Sequence, residues 1–314
     1  MGIKIVSTGS YLPDRVLTNF DLEKMVDTSD QWITTRTGIK ERRISEGETT
    51  SDMAAEAAAR AIEGKAEPEE IELIVVATAT PDAFFPSTAC KVQSKLENKK
   101  AIAFDISAAC TGFIYGLYTV DSIMRSKGIK RALLIGAERF SKIVNWKDRT
   151  TCILFGDGAG AVLVEQSEDE GILGFDLGAD GSYGELLVAP SVGSNEEPPH
   201  YLRMRGNEVF KVAVRTMVES AQRVLEKSGI SPDEIALLIP HQANVRIINA
   251  VAERLKIPEE KVFINLNRYG NTSAASIPIA LDEAVRNGRV KKGDKILMVA
   301  FGGGFTWGSC IVEI

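Results

Sequence analysis

The chain repeats itself, and the repeat constrains the fold more than any other feature of the sequence. The segment "EPEEIELIVVAT" is similar to "SPDEIALLIPHQ", and their matching residues Ile71 and Ile235 stand 164 positions apart. Each segment follows an amphipathic helical pattern that stops at a glycine, Gly64 and Gly229, a shift of 165. Glycine follows helix ends because it tolerates the left-handed backbone found there. The segments "AIAFDISAAC" and "KVFINLNRYGN" both read as strands entering a turn of small residues, and the helices after them stop at Gly128 and Gly288, a shift of 160. Another apolar strand comes next in each case, "RALLIGAE" and "KILMVAFGGG". Strands alternating with helices specify α/β layers. The expectation is two similar α/β halves, residues 1–165 and 166–314, related by a pseudo-two-fold axis. Residues 27–50 and 190–207 escape the repeat and read as insertions, which on a rigid scaffold tend to carry substrate contacts.

A chain of 314 residues is long enough to bury a large core in each half. Its net charge of −6 points away from general nucleic-acid binding, although it leaves room for a local basic patch. No apolar run is long enough to span a bilayer. The opening "MGIKIVSTGSYLP" lacks the apolar core and cleavage site of a signal peptide and reads as a first strand. A cytoplasmic location is therefore expected, where thiols stay reduced. Cys90, Cys110, Cys152 and Cys310 are scattered without CxxC spacing, so neither a disulfide framework nor a metal cluster is expected. The chain holds two histidines, His200 and His241, which narrows the choice of general base.

Ligands of open α/β sheets gather beyond the carboxyl ends of strands. Cys110 stands at such an end in the first half, Asn271 at the corresponding end in the second, and His241 ends the strand "IALLIP". The helix after Cys110 carries Phe113, Leu117, Val120 and Met124 at helical spacing and closes with Arg125 and Lys127 before Gly128. Cys110 is thus expected at the positive end of a helix, where a thiolate is stabilised and the thiol pKa falls. Taken alone, it reads equally as a small core filler, the ordinary fate of a cysteine. His241 begins the polar cluster "HQAN", Asn271 read alone is a helix cap, and His200 reads as a solvated loop residue. "FGDGAGAVLV" superficially resembles a dinucleotide fingerprint. That motif needs a helix next, whereas "AVLVEQ" reads as a strand, so a tight turn between strands is expected. "FGGGFTWGSC" is a glycine turn whose backbone N–H groups suit either an oxyanion hole or a plain hairpin.

At this level of detail the chain resembles the β-ketoacyl-acyl-carrier-protein synthase III family, the thiolase-like condensing enzymes that start bacterial fatty-acid synthesis. The resemblance is carried, in order, by "TSDQWITTRTGIKERR", "DISAACTGF", "FGDGAGAVL", "PHQAN", "YGNTSAASIP" and "FGGGFTWGS", and it covers essentially the whole chain. It implies a thiolase-like fold layered α-β-α-β-α. It also implies that Cys110 is the acylated nucleophile, that His241 and Asn271 are the other two catalytic residues, and that the Gly303 and Cys110 N–H groups form the oxyanion hole. Trp32 and Arg149 match the pair that sandwiches the adenine of coenzyme A, and Thr28, Arg36 and Asn244 match further coenzyme A contacts. Phe85 matches a residue that closes the acyl pocket of a partner subunit in a homodimer. Lys211, Arg246 and Arg254 fall where the family binds its acidic carrier protein.

The chemistry so implied is transfer of an acyl group, with acetyl expected, from acyl-CoA to Cys110. Decarboxylative condensation with malonyl-acyl-carrier protein follows. No metal or other cofactor is implied, and coenzyme A enters as the substrate thioester. Elongating synthases use two histidines and biosynthetic thiolases a second cysteine, and "YGNTSAAS" has neither at the Asn271 position. A secondary-metabolite synthase of the same subfamily, or a catalytically silent protein that binds acyl-CoA or carrier protein, are the alternatives.

Overall fold

In the computed structural model, which describes residues 2–314, the chain folds into two packed sheets with helices between and outside them. The first half contains β1 (Gly2–Tyr11), β2 (Val16–Thr18), α1 (Asn19–Glu23), α2 (Asp30–Thr37), β3 (Glu41–Arg43) and α3 (Thr50–Ile62). It continues with β4 (Leu73–Ala77), α4 (Thr88–Lys95), β5 (Ile102–Ile106), α5 (Gly112–Lys127), β6 (Arg131–Arg139) and β7 (Asp157–Ser167). The second half opens with β8 (Ile172–Ala179), β9 (Leu187–Val188), β10 (Arg203–Met204), α6 (Gly206–Ser228) and β11 (Ile235–Pro240). It closes with α7 (Val245–Leu255), α8 (Leu266–Tyr269), α9 (Ser276–Arg286), β12 (Lys295–Gly302) and β13 (Thr306–Glu313).

The first sheet has the order β1-β7-β6-β4-β5 and the second β8-β13-β12-β11. In each, the strands nearest the turn-bearing edge pair in parallel (β6–β4–β5, β12–β11) and the remainder antiparallel. The expected strand in "KVFINLNRYGN" does not form: a single parallel bridge from Leu238 to Val262 stands where β5 stands in the first sheet, and α8 follows before Asn271. Strand alternation sorts side chains into layers. Leu73 and Val75 of β4, with Leu237 and Ile239 of β11, face the buried pair α5 and α9. Ile74 and Val76 face α3 on one outer side. Leu238, with Leu297 and Val299 of β12, packs in the cluster formed by α6 and α7 on the other. The layers therefore run α-β-α-β-α.

Local sequence explains the element ends. Thr49 accepts a hydrogen bond from the Asp52 N–H while the Asp52 carboxylate accepts one from the Thr49 N–H, a reciprocal cap that starts α3. Gly64, Gly128, Gly229 and Gly288 all take the left-handed backbone that the repeat anticipated. The insertion at 27–50 is pinned by Arg42. Its wholly buried guanidinium donates to the Leu17 carbonyl (3.1 Å), the Asn19 Oδ1 (2.9 Å) and the Ile153 carbonyl (2.7 Å). Burial draws its pKa down to about 10, with the Cys152 and Glu41 charges acting in the opposite direction.

The glycine turn is corrected as well. "FGDGAG" is not a turn between strands: Gly158 and Gly160 lie inside β7 and Gly156 just before it. These glycines exist for close approach. A Cβ on Gly160 would stand 2.6 Å from the Ile279 nitrogen of α9, and one on Gly156 would stand 2.3 Å from the Tyr269 carbonyl oxygen. The first sheet is thus pressed against backbone of the second half, which a local reading of glycines does not reveal. Gly160→Ala is expected to cost about 1–3 kcal/mol, the usual penalty for overpacking, read as a lower urea midpoint. Gly47→Ala, whose Cβ meets nothing within 4 Å, is expected to leave the midpoint in place.

Candidate active site

Beyond β5 the chain makes a single 3-10 turn, Ala109–Thr111, before α5 begins at Gly112. Ala109 sits at φ 47°, in the left-handed region. This conformation is strained for a residue with a Cβ and is characteristic of functional turns. It presents Cys110, 7% exposed, to the interior. The second half repeats the device. Ser273 sits at φ 49° in the turn Ser273–Ala275 ahead of α9. The two turns touch, since a Cβ on Gly112 would meet the Ala274 Cβ at 3.2 Å. The Cys110 thiol departs from expectation. Burial pushes its pKa up to about 12 and the nearby Glu138 charge adds to this, while the Ser273 hydroxyl and the Cys110 N–H act in the opposite direction. The α-helix proper starts two residues later, and a helix start contributes only about 0.3–1 kcal/mol at an exposed site. Loss of water around the sulfur outweighs it.

His241 follows β11 directly, and its N–H donates to the Val299 carbonyl at 2.8 Å. Its Nδ1 lies 2.7 Å from the Ser276 Oγ, whose oxygen also accepts a long hydrogen bond (3.4 Å) from the Gln242 N–H. The ring is buried, and desolvation draws its pKa down to about 3, so the imidazole is neutral at ordinary pH. Gln242 is structural: its Nε2 donates to the Pro240 and Phe263 carbonyls, and its Oε1 accepts from the Asn265 and Leu266 N–H groups. Asn244 caps α7 by accepting from the Arg246 N–H at 2.9 Å and donates to the Arg36 carbonyl at 3.1 Å. Asn271 bridges to Phe155 through its backbone, and its Oδ1 accepts from the Ser273 N–H at 2.8 Å. The local cap is real, and it orients the amide with the Nδ2 side unused by protein.

Cys110, His241 and Asn271 line one cavity of about 690 Å³, a volume suited to a small-molecule ligand. Gly303 lines it too. A Cβ on the adjacent Gly302 would stand 2.8 Å from the Cys110 nitrogen, so the glycine turn lies directly on the cysteine turn. Trp32, Arg36, Asn244, Lys211 and Arg246 also line the cavity. The Arg36 and Arg149 guanidinium carbons lie 5.4 and 5.5 Å from the Trp32 ring centroid. Arg149 also donates to the Asp27 carbonyl at 2.8 Å.

Thr28, Phe85, Arg149 and Arg254 do not line the cavity. The Thr28 Oγ1 is buried without a partner, Phe85 is 85% exposed, and Arg254 is exposed on the last turn of α7. His200 is half-buried rather than solvated, and its Nδ1 has no partner. Cys152 and Cys310 pack in the core and Cys90 is half-buried. The sequence reading passed over Ser273, Ser276 and the fully buried Glu138. An acidic residue closing the apolar run "RALLIGAE" was the available signal for Glu138. The 190–207 insertion contributes apolar wall through Leu202 and Met204. Among the described residues no cluster of three or more His, Cys, Asp or Glu side chains could hold a metal ion, and no helix is long and apolar enough to cross a membrane.

Two sheets around two buried helices, with a cysteine, a histidine and an asparagine meeting at their strand ends, define a thiolase-like condensing enzyme. Comparison with known proteins agrees. Residues 104–181 match the family model described as 3-oxoacyl-[acyl-carrier-protein (ACP)] synthase III, and residues 225–314 match its C-terminal counterpart. The β-ketoacyl-[acyl-carrier-protein] synthase III of Aquifex aeolicus is 60% identical, with all of both chains covered. That of Caldanaerobacter subterraneus subsp. tengcongensis is 56% identical over 98% of this chain and 97% of its own. A crystal structure of the Aquifex aeolicus synthase superposes with a TM-score of 0.96, at 59% identity and full coverage of both chains. The chain belongs to the β-ketoacyl-[acyl-carrier-protein] synthase III family.

The burial of His241 carries a direct prediction. Its folded pKa is depressed from 6.5 to about 3, so the stability contributed by the neutral ring is present above pH 6.5 and is lost as the pH falls towards 3. In NMR spectra of His200→Gln protein, which leaves His241 as the one histidine, the ring signals are expected not to titrate between about pH 5 and about 8. A midpoint near 6.5 would show a solvated ring.

Proposed function

We propose that this chain starts fatty-acid synthesis by moving a short acyl group, acetyl first, from acyl-CoA to Cys110, and then condensing it with malonyl-acyl-carrier protein. The observation that carries this reading is the convergence of Cys110, His241 and Asn271 on one cavity, with the imidazole neutral. In the first step the Cys110 sulfur attacks the acyl carbon, and the Cys110 and Gly303 N–H groups hold the oxyanion. The coenzyme A thiolate then leaves. A cysteine suits this task because it is nucleophilic and its thioester stays activated.

In the second step loss of CO2 from the malonyl thioester places negative charge on the thioester oxygen. His241 and Asn271 stabilise it as hydrogen-bond donors. With the Ser276 oxygen accepting from the Gln242 N–H, the Ser276 proton is free for His241 Nδ1, and Nε2 then carries its proton towards the cavity. The Asn271 Nδ2 adds a second donor. A protonated imidazole is not required, because decarboxylation itself generates the carbon nucleophile. The nucleophile attacks acyl-Cys110, and β-ketoacyl-acyl-carrier protein leaves with Cys110 restored.

The proposed binding surfaces rest on residues already described. The adenine of coenzyme A slides between Trp32 and Arg149, replacing a cation–π contact with stacking, while Arg36, Asn244 and Thr28 serve the rest of the coenzyme. Lys211 and Arg246, with Arg254 further along α7, meet the acidic carrier protein. Phe84, Phe85, Ile102 and Tyr118 are exposed, and β5 is an edge strand of the first sheet. Such an edge needs cover, and a second copy of the chain supplies it, carrying Phe85 to its neighbour's acyl pocket. Residues 1–165 and 166–314 are the two units of each protomer.

Intact-protein mass spectrometry with a panel of acyl-CoA primers is expected to show one acyl adduct on Cys110 and none on Cys110→Ala. A wild-type protein that no primer labels would overturn the reading. Lys211→Glu with Arg246→Glu is expected to raise KM for malonyl-acyl-carrier protein roughly tenfold at low salt, with the labelling rate of Cys110 unchanged. Equal effects on both steps would place these cations elsewhere in the reaction.

A further inference from the structure

The proposed chemistry leaves one proton unassigned. Acylation takes a proton from the Cys110 thiol, and His241 is a poor store for it because its own burial opposes a positive charge. Glu138, near the end of β6, is fully buried and has no role in the steps above. On one side its carboxylate accepts from the Ala79 N–H (3.1 Å), the Thr80 hydroxyl (2.5 Å) and the Thr78 hydroxyl (3.3 Å). Ala79 lines the same cavity as Cys110. On the other side it faces the turn that carries Ser273. Among the described residues no lysine or arginine pairs with it.

Ser273 links the two groups. It is fully buried, and its hydroxyl makes no hydrogen bond of ordinary geometry. The turn that carries it packs on both partners' elements: a Cβ on Gly112, two residues after Cys110, would meet the Ala274 Cβ at 3.2 Å, and one on Gly136, two residues before Glu138, would stand 2.3 Å from the Ala274 carbonyl oxygen. The Ser273 hydroxyl favours the charged form of both the thiol and the carboxylate. Its backbone is fixed at φ 49° and its N–H is held by Asn271. A buried hydroxyl without a partner, on a turn packed against the elements that carry a thiol and a carboxylate, is what a proton relay needs.

We propose that the Glu138 carboxylate, through the Ser273 hydroxyl, takes the proton that the Cys110 thiol gives up on acylation and returns it when condensation releases the Cys110 thiolate. This rests on the acyl-transfer reading above. In the first step the sulfur–hydrogen bond breaks, the sulfur–acyl bond forms, Glu138 becomes a neutral acid, and the departing coenzyme A thiolate takes a proton from water. In the second step CO2 leaves and the new carbon–carbon bond displaces the Cys110 sulfur, which recovers the proton held on Glu138. The buried pair thus carries one negative charge at rest and none while acylated, never two. Burial raises the Glu138 pKa to about 7 against the pull of Thr80, Ala79, Ser273 and Ala274, so both forms are within reach at neutral pH. The thiol keeps the proton at rest and yields it only as the sulfur bonds to carbon.

The test is the single-turnover rate of Cys110 acylation by acetyl-CoA, followed by quench and mass spectrometry as a function of pH. The wild-type rate is expected to rise with pH through about 7 as Glu138 ionises. Glu138→Gln is expected to acylate about 10²-fold more slowly, the usual size of a lost general base, with the inflection gone. Glu138→Asp is expected to recover part of the rate and the inflection, which a purely structural role would not do. Ser273→Ala leaves the other carboxylate partners in place and is expected to slow acylation as well, and it tests the relay should Glu138→Gln fail to fold. A wild-type rate flat across neutral pH, or variants that keep the wild-type rate and profile, would overturn the relay while leaving acyl transfer intact. Absence of any acyl adduct on the wild type would instead overturn the acyl-transfer reading.

Discussion

The contact on which the structure depends is that between two tight turns at its centre, Ala109–Thr111 and Ser273–Ala275. A Cβ on Gly136 would stand 2.3 Å from the Ala274 carbonyl oxygen, and one on Gly112 would stand 3.1 Å from the Ala77 Cβ and 3.2 Å from the Ala274 Cβ. Backbone therefore lies on backbone at Gly136, and only alanine methyls fill the space at Gly112. Both turns carry a residue other than glycine in the left-handed region, a strain of about 1–3 kcal/mol each that the surrounding packing must hold. In return, Cys110 from one half meets Asn271 from the other in a single cavity wall, with Ser273 buried out of that wall. The glycines of β7 extend the same close approach along α9.

Burial then decides the electrostatics. The site is walled largely by apolar side chains, and the cost of removing charge from water dominates Cys110, His241 and the neighbouring Glu138. It raises the Cys110 thiol, lowers His241 and raises Glu138. Two buried carboxylates show the difference between support and reactivity. Asp157 is also raised, first by burial, but it is tied by the Ser141 N–H (2.9 Å), the Ser141 hydroxyl (2.6 Å) and the Ser45 N–H (2.9 Å). These bonds fasten the 27–50 insertion to the loop after β6. Glu138 instead faces the unsatisfied Ser273.

Charge is local rather than global. The whole chain is acidic at −6, yet Lys211 and Arg246 line the cavity that holds Cys110. Screening reduces exposed charges to a range of about 8 Å at physiological salt, so cations at the cavity matter more to an incoming acidic partner than the net charge does. Arg203 adds little to them, because Glu196 forms a bidentate pair with it.

Sequence alone determined the architecture. Helix-stopping glycines and strand periodicity are local properties, and two copies of one pattern at a shift near 160 admit few arrangements beyond two stacked α/β layers. It also singled out Cys110, His241 and Asn271, because each reads as following a strand and that reading is local too, although α8 stands directly before Asn271. Tertiary structure decided what those groups are. The thiol pKa rises where a helix-start argument lowers it, because water exclusion is summed over neighbours from both halves. The "FGDGAG" glycines are sites of approach rather than a turn, because the backbone they admit belongs to residues more than 100 positions away. Glu138 and Ser273 acquire meaning only when β6 and the turn before α9 are brought together. Local preference is written residue by residue, whereas desolvation and contact belong to pairs that only folding assembles.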